Sequence, residues 1–211
     1  MEGCKSEADI RTLQDDLSTL DQRSEKWLLQ FNIKKCKVMH FGKNTESHYY
    51  LTNNGIKKEI EVSKMEKDLG VWVNNELKWS DQCGKAAGKA MSVLGVTKRS
   101  FKRLDIKSFK ILFNIYVRPH LEYCIQAWCP YYEKDINCFE KIQRRATKLI
   151  SDVTHLAYHV RLQKLNLFTL EQRRVRGDLT ETYKIFRGFD NVDCSKFFTP
   201  APVGITRGNS L

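Results

Sequence analysis

Residues 105–150, DIKSFKILFNIYVRPHLEYCIQAWCPYYEKDINCFEKIQRRATKLI, decide how this chain folds. Asp105 is positioned to cap a helix in which Phe109, Leu112, Phe113, Tyr116 and Val117 recur at helical spacing. Pro119 is placed to open a second helix carrying Leu121, Tyr123, Cys124, Ala127 and Trp128, and Pro130 stops it. Asp135 is a third candidate cap, ahead of the single stripe Ile136, Phe139, Ile142, Ala146, Leu149 and Ile150. Lys141, Arg144, Arg145 and Lys148 fall on the opposite side of that stripe. The stretch therefore predicts three packed helices, the last with a basic face turned to anions.

Working outward, the positive charge is unevenly spread. The 211 residues carry a net charge of +11. Residues 1–80 hold 13 basic and 13 acidic side chains, and residues 177–211 hold 4 and 4. Residues 81–176 hold 19 and 8, so the whole excess lies there. A basic excess confined to one helical region is the footprint of a polyanion partner, with a solvated helix face as the alternative. No apolar run approaches the roughly 20 residues of a membrane span. The opening MEGCKSEADIR has neither the basic start nor the apolar run of a secretory signal. Seven cysteines, an odd number at irregular spacing, predict free thiols in a reducing, intracellular compartment, cytoplasmic or nuclear. Cys124, Cys129 and Cys138 lack zinc-site spacing, so no metal site is expected.

Ahead of the basic region the pattern predicts a different architecture. Ser6 to Gln30 reads as an amphipathic helix with Ile10, Leu13, Leu17, Leu20, Trp27 and Leu28 in one stripe. Asp15 and Asp16 fall on its solvent side, which argues against a two-metal reading. Strands are predicted around Cys36–Phe41, at Tyr49–Thr52, and at Ile56–Val62 after an Asn53-Asn54-Gly55 turn. A further strand is expected through KDLGVWVN, where Leu69, Val71 and Val73 alternate. Near Ser80 the composition shifts to small residues (Gly84, Ala86, Ala87, Gly88, Ala90, Gly95) interleaved with Lys85, Lys89, Lys98 and Arg99. Later, His155–Asn166 predicts a short helix carrying Leu156, Val160 and Leu165. Thr169 to Gln172 has the form of a capping box opening a long helix, with Leu179, Tyr183 and Phe186 on one face. Arg173, Arg174 and Arg176 sit in its first turns, where the helix dipole disfavours them; an outside anion or a nearby carboxylate would explain them.

The expected class is α+β. Residues 1–80 would form a helix with a small antiparallel sheet, 81–188 an all-helical bundle, and 189–211 an extended tail.

Five ordered blocks carry a resemblance over most of the chain. They are WLLQFNIKKCKVMHFGKN (27–44), KDLGVWVNNELKWSDQC (67–83), YVRPHLEYCIQAWCPYYEKDINCFEKIQRRATKLI (116–150), LFTLEQRRVRGDLTETYKIFRG (167–188) and TRGNS (206–210). In this order and spacing they resemble the reverse transcriptases of non-LTR (LINE-type) retrotransposons, close to the chicken-repeat and jockey-like groups. The resemblance implies that residues 1–80 are the later part of a polymerase palm and 81–188 a thumb gripping an RNA/DNA template–primer duplex. Lys35, flanked by Lys34 and Lys37, then stands where a lysine approaches the incoming triphosphate. Leu69, Gly70 and Val71 fall in the primer-grip segment. Backbone phosphates would be held by Lys34, Lys35, Lys37, Lys85, Lys89, Lys98, Arg99, Lys102, Arg103, Arg144, Arg145, Lys148, Arg173 and Arg174.

The same resemblance implies what is missing. Family polymerases hold two Mg²⁺ ions on an early aspartate and an aromatic-x-Asp-Asp hairpin upstream of FNIKKC; neither occurs in this sequence. The family activity is RNA-directed DNA polymerase, but no catalytic residue, no cofactor and no small-molecule substrate are expected for this chain alone. A duplex-binding fragment, a free-standing nucleic-acid-binding module and a basic helical interaction protein remain open as readings.

Overall fold

The computed structural model describes residues 6–42, 47–53 and 55–199, and it is α+β. Asn54, the tail residues Pro200, Pro202, Gly204 and Gly208, and the TRGNS block lie outside the described residues. The chain divides into two compact units, 1–86 and 87–211. The division falls within helix α2 (Ser80–Ser100), six residues beyond the compositional shift at Ser80.

The first unit is built on helix α1 (Glu7–Lys26), whose N-terminus is closed by a capping box between Ser6 and Asp9. The inner face differs from the predicted stripe. Leu13, Leu20, Trp27 and Leu28 are exposed. Ile10, Gln14, Leu17 and Asp21 are turned inward instead, and two of these four are polar for a definite reason. Strand β2 (Tyr50–Asn53) has backbone groups to satisfy. The Gln14 amide donates to the Tyr50 carbonyl at 3.0 Å and accepts from the Tyr50 N–H at 2.9 Å. Asp21 accepts from the Thr52 N–H at 2.5 Å. Tyr49, Leu51 and Ile60 form the small core beneath, with Ile10, Leu17, Ile33, Cys36 and Val38 packed against it.

The expected single antiparallel sheet is three separate two-stranded pairs. Strand β1 (Lys37–Val38) is shorter than predicted, follows a 3₁₀ turn at Ile33–Lys35, and pairs in parallel with β4 (Glu61–Val62). Strands β2 and β3 (Ile56–Glu59) form the expected antiparallel hairpin, with Gly55 at φ +73° in its turn. KDLGVWVN is a second hairpin rather than one strand. Strand β5 (Met65–Asp68) turns at Leu69-Gly70 into β6 (Val71–Asn74), with Asp68 opposite Val71. Both turn residues have positive φ, +44° and +91°, as a two-residue type I′ connection requires. The alternation of Leu69, Val71 and Val73 masks a turn whose decisive residue is Gly70.

The second unit is helical. The Asp105 carboxylate caps helix α3 (Ile106–Leu112), accepting from the Lys107 and Ser108 amides at 3.0 and 3.3 Å. Pro119 opens a second helix as expected, but no break in helical geometry precedes it. Helical geometry continues through a π-helical turn (Phe113–Val117) into helix α4 (Arg118–Glu122), where Pro119 sits in the first turn. The widened turn relieves the clash a proline ring makes with the preceding turn. The break comes at Tyr123, which is extended, and Cys124, which is left-handed at φ +53°. Helix α5 (Ile125–Trp128) follows. Helix α6 (Glu133–Thr147) starts three residues earlier than predicted, with Asp135 inside its first turn and not at the cap.

Phe109, Phe113, Val117, Leu121, Ile125 and Trp128 line one side of this core, and Phe139, Ile142, Ala146 and Ile150 the other. The Trp128 ring, 0 % exposed, lies 5.6 Å from Phe139, and its indole N–H donates to the Tyr123 carbonyl at 2.8 Å. Tyr116, Tyr123, Cys124 and Ala127, expected inside, are exposed because the π turn and the Cys124 break shift the helical phase. Helices α7 (Tyr158–Leu165) and α8 (Leu170–Phe186) complete the unit, and the Thr169–Gln172 capping box forms as expected. Leu179, Tyr183 and Phe186 of α8 are exposed, while Leu170 and Arg174 are buried. The described start of the tail is folded rather than extended. Phe189 lies against Tyr183, Phe198 against Phe186, and Cys194–Lys196 make a 3₁₀ turn.

Candidate functional site

Helix α6 sorts its residues sharply by face. Phe139, Ile142, Ala146 and Ile150 are buried, and Lys141, Arg144, Arg145 and Lys148 are all exposed. Two of the four are held in place without losing their charge. The Arg144 guanidinium lies 4.9 Å from the Tyr158 ring centre, a cation–π contact that keeps its charge. Arg145 Nη1 lies 3.7 Å from the Met91 sulfur of α2.

Two further contacts gather basic side chains to this face. The Met91 contact joins α6 to the half of α2 that carries Lys89, Lys98 and Arg99, all exposed. A backbone bridge between Leu104 and Ile150 lays the segment bearing Lys102 and Arg103 beside the end of α6, next to Lys148. Both are exposed too. On α2 the buried side is small and apolar (Ala87, Ala90, Leu94), while Gly88 is exposed with nothing within 4 Å of a Cβ placed there. The outer surface between the lysines is therefore shallow.

Other residues expected in phosphate binding have partners of their own. Arg173 donates to both oxygens of Glu122, from Nε at 2.5 Å and from Nη2 at 2.9 Å. Those hydrogen bonds raise its pKa further. Arg174 is 5 % exposed and lies 5.8 Å from the Phe139 ring, with Nη2 buried and lacking an acceptor. Arg174 faces into the bundle, whereas Arg173 is half-buried and its guanidinium is occupied by Glu122, so the nearby-carboxylate explanation holds for Arg173. Arg161, which the sequence did not single out, is 3 % exposed. It donates to Thr147 Oγ1 at 3.1 Å, the Leu156 carbonyl at 2.8 Å and the Arg144 carbonyl at 3.4 Å. A buried arginine here ties down the carbonyl end of α6, where positive charge suits the helix dipole.

In the first unit the expected lysines are dispersed. Lys34 and Lys35 are exposed on the 3₁₀ turn, and Lys34 lines a cleft of about 610 Å³ shared with Lys58, Glu59 and Glu61. That lining mixes both signs and offers no single-sign field. Lys37 is bound to Glu61 at 2.5 Å. Lys85 sits 4.0 Å over the Trp72 ring. Of the primer-grip-like residues, Leu69 stands at a hairpin tip, 85 % exposed, with Gly70 beside it, and Val71 is buried.

No family model, curated protein or solved structure matches this chain.

Among the described residues no group of three or more His, Cys, Asp or Glu side chains is gathered to hold a metal ion. Asp15 and Asp16 are exposed on α1. The described cysteines (Cys36, Cys83, Cys124, Cys129, Cys138 and Cys194) are free thiols. Burial, and then the Asp178 charge, raise the Cys129 pKa against a smaller opposing effect of Arg174. A raised thiol pKa is the reverse of what a nucleophile needs. No described helix is long and apolar enough to cross a membrane.

Proposed function

We propose that this chain is the palm-and-thumb portion of a non-LTR retrotransposon reverse transcriptase, and that its helical unit grips a template–primer duplex by the phosphate backbone. The observation that carries the reading is the exposed basic run at the C-terminal half and end of α6, Lys141, Arg144, Arg145 and Lys148, with Lys102 and Arg103 adjoining. The five sequence blocks supply the family, and the confinement of the charge excess to residues 81–176 supports a polyanion partner. Such contacts neutralise phosphates without reading bases, so recognition is of backbone and not of sequence. The family's catalytic aspartates are not in this sequence, so the chain binds duplex without extending it.

The test is affinity for an RNA–DNA duplex measured against salt. Neutralising several phosphates gives a steep linear fall of log affinity with log salt. A flat response overturns the duplex reading and leaves a basic module for an acidic protein partner. Primer extension in Mg²⁺ should yield no product, and sustained extension would overturn the assignment of the chain as non-catalytic.

A further inference from the structure

On the second unit, two guanidinium groups are arranged around one carboxylate. Arg118 and Glu122 are one turn apart on α4, and Arg173 reaches the same carboxylate from α8 through two hydrogen bonds. That pair satisfies both oxygens of Glu122 with a fork-to-fork geometry. Arg118 is left over. Its Nε–H is buried and has no acceptor, and its Cζ lies 5.4 Å from the Phe113 ring, which supports the guanidinium plane. A buried N–H without an acceptor is a cost that a native protein rarely carries without a reason. Burial first, and then the Arg173 charge, lower the Arg118 pKa, with Glu122 opposing. The cluster therefore has more positive charge than its own carboxylate neutralises, and a donor waiting for an oxygen.

We infer that Arg118 and Arg173 form an anion site that takes a phosphate group, with Glu122 as the internal carboxylate that occupies Arg173 until the phosphate arrives. A tetrahedral oxyanion supplies the acceptor that Arg118 lacks and competes with Glu122 for the Arg173 fork. The inference does not rest on the α6 face: the phosphate is either a free ion or a diester of a nucleic-acid strand, and the chemistry of recognition is shared.

The full chain, titrated calorimetrically with inorganic phosphate and separately with a short RNA–DNA duplex, distinguishes the two sources. Arg118→Met should lower phosphate affinity at least tenfold, and Arg118→Lys should retain part of it. Glu122→Gln should tighten phosphate binding severalfold, because the competing carboxylate is gone; loss of an ordinary structural ion pair would not do this. Loss in Arg118→Met for phosphate alone assigns a free-ion site, and loss for the duplex assigns a backbone site. Unchanged affinity for both probes in Arg118→Met overturns the inference, as does a folded Glu122→Gln that binds no tighter than the parent. If Glu122→Gln fails to fold, Arg118→Met decides. The variant carrying Arg144→Ala, Arg145→Ala and Lys148→Ala should keep phosphate binding whatever becomes of its duplex affinity, so the two proposals fail separately.

Discussion

The Tyr158 hydroxyl donates to one carboxylate oxygen of Glu140, so α7 is fastened to α6 by a side-chain hydrogen bond. The other Glu140 oxygen accepts the Leu170 amide at 3.1 Å, at the start of α8. One acidic side chain thus joins three helices, and Gln143 adds donors to the Tyr158 hydroxyl at 3.2 Å and the Phe168 carbonyl at 2.9 Å.

This network has a pH signature. Burial, then the hydrogen bond and charge of Glu140, raise the Tyr158 pKa. The folded chain keeps a proton that an unfolded tyrosine releases near pH 10, so the contribution is complete below about pH 10 and is lost as pH rises beyond it. Tyr158→Phe should cost about 1–3 kcal/mol at neutral pH, because it leaves a Glu140 oxygen without its partner. It should also flatten the alkaline fall in stability. Urea unfolding of the two proteins from neutral to strongly alkaline pH checks both; parallel alkaline slopes would exclude this role for Tyr158.

Replacing Arg144, Arg145 and Lys148 by alanine should weaken duplex binding to a similar extent for every sequence. The salt slope should fall by about 0.9 for each DNA phosphate that is no longer neutralised. Fluorescence anisotropy at several salt concentrations, with two duplexes of unrelated sequence, gives both quantities. An unchanged slope would mean that this face does not meet phosphates.

Arg173→Ala should act on the fold. Its pairing with Glu122 is partly screened by solvent, so the cost should be about 1–2 kcal/mol, below that of a fully buried pair. Chemical denaturation reads it directly.

Leu69 has φ +44° at the hairpin tip, a conformation that a side chain with a Cβ adopts at a cost. Leu69→Asn, the residue such a turn prefers before glycine, should stabilise the first unit by about 0.5–1 kcal/mol. A Tm that rises while duplex affinity drops would show that the leucine is kept there for binding.

Arg161→Met removes three hydrogen bonds from a buried cation and should destabilise by about 3 kcal/mol. Near-parental stability, measured by urea unfolding, would mean that the carbonyl end of α6 is held by other contacts.

What the sequence made legible was local. The α6 stripe, the Asp105 cap and the Thr169–Gln172 box each depend on residues within a few turns, and each forms. The failures come from partners far along the chain. Arg173 looks unsatisfied in its own helix because Glu122, 51 residues earlier, is what answers it. Gln14 and Asp21 sit on the inner face of α1 because a strand at Tyr50–Asn53 needs donors and acceptors, which helical periodicity does not register. Leu69-Gly70 failed for a different reason: apolar alternation continued across a turn, and the turn chemistry of one glycine outweighed it.

The placement of Trp128 has an optical consequence. It is the only tryptophan after residue 86, it is fully enclosed, and its N–H is bonded to a carbonyl, whereas Trp27 in the first unit is exposed. Trp72 and Trp79, also in the first unit, are half-buried, so Trp128 is the most enclosed fluorophore of the four. A water-borne quencher should extinguish the red-shifted emission of Trp27 and spare the blue-shifted emission of Trp128. Loss of the most quencher-resistant component then reports unfolding of the second unit in an unlabelled sample.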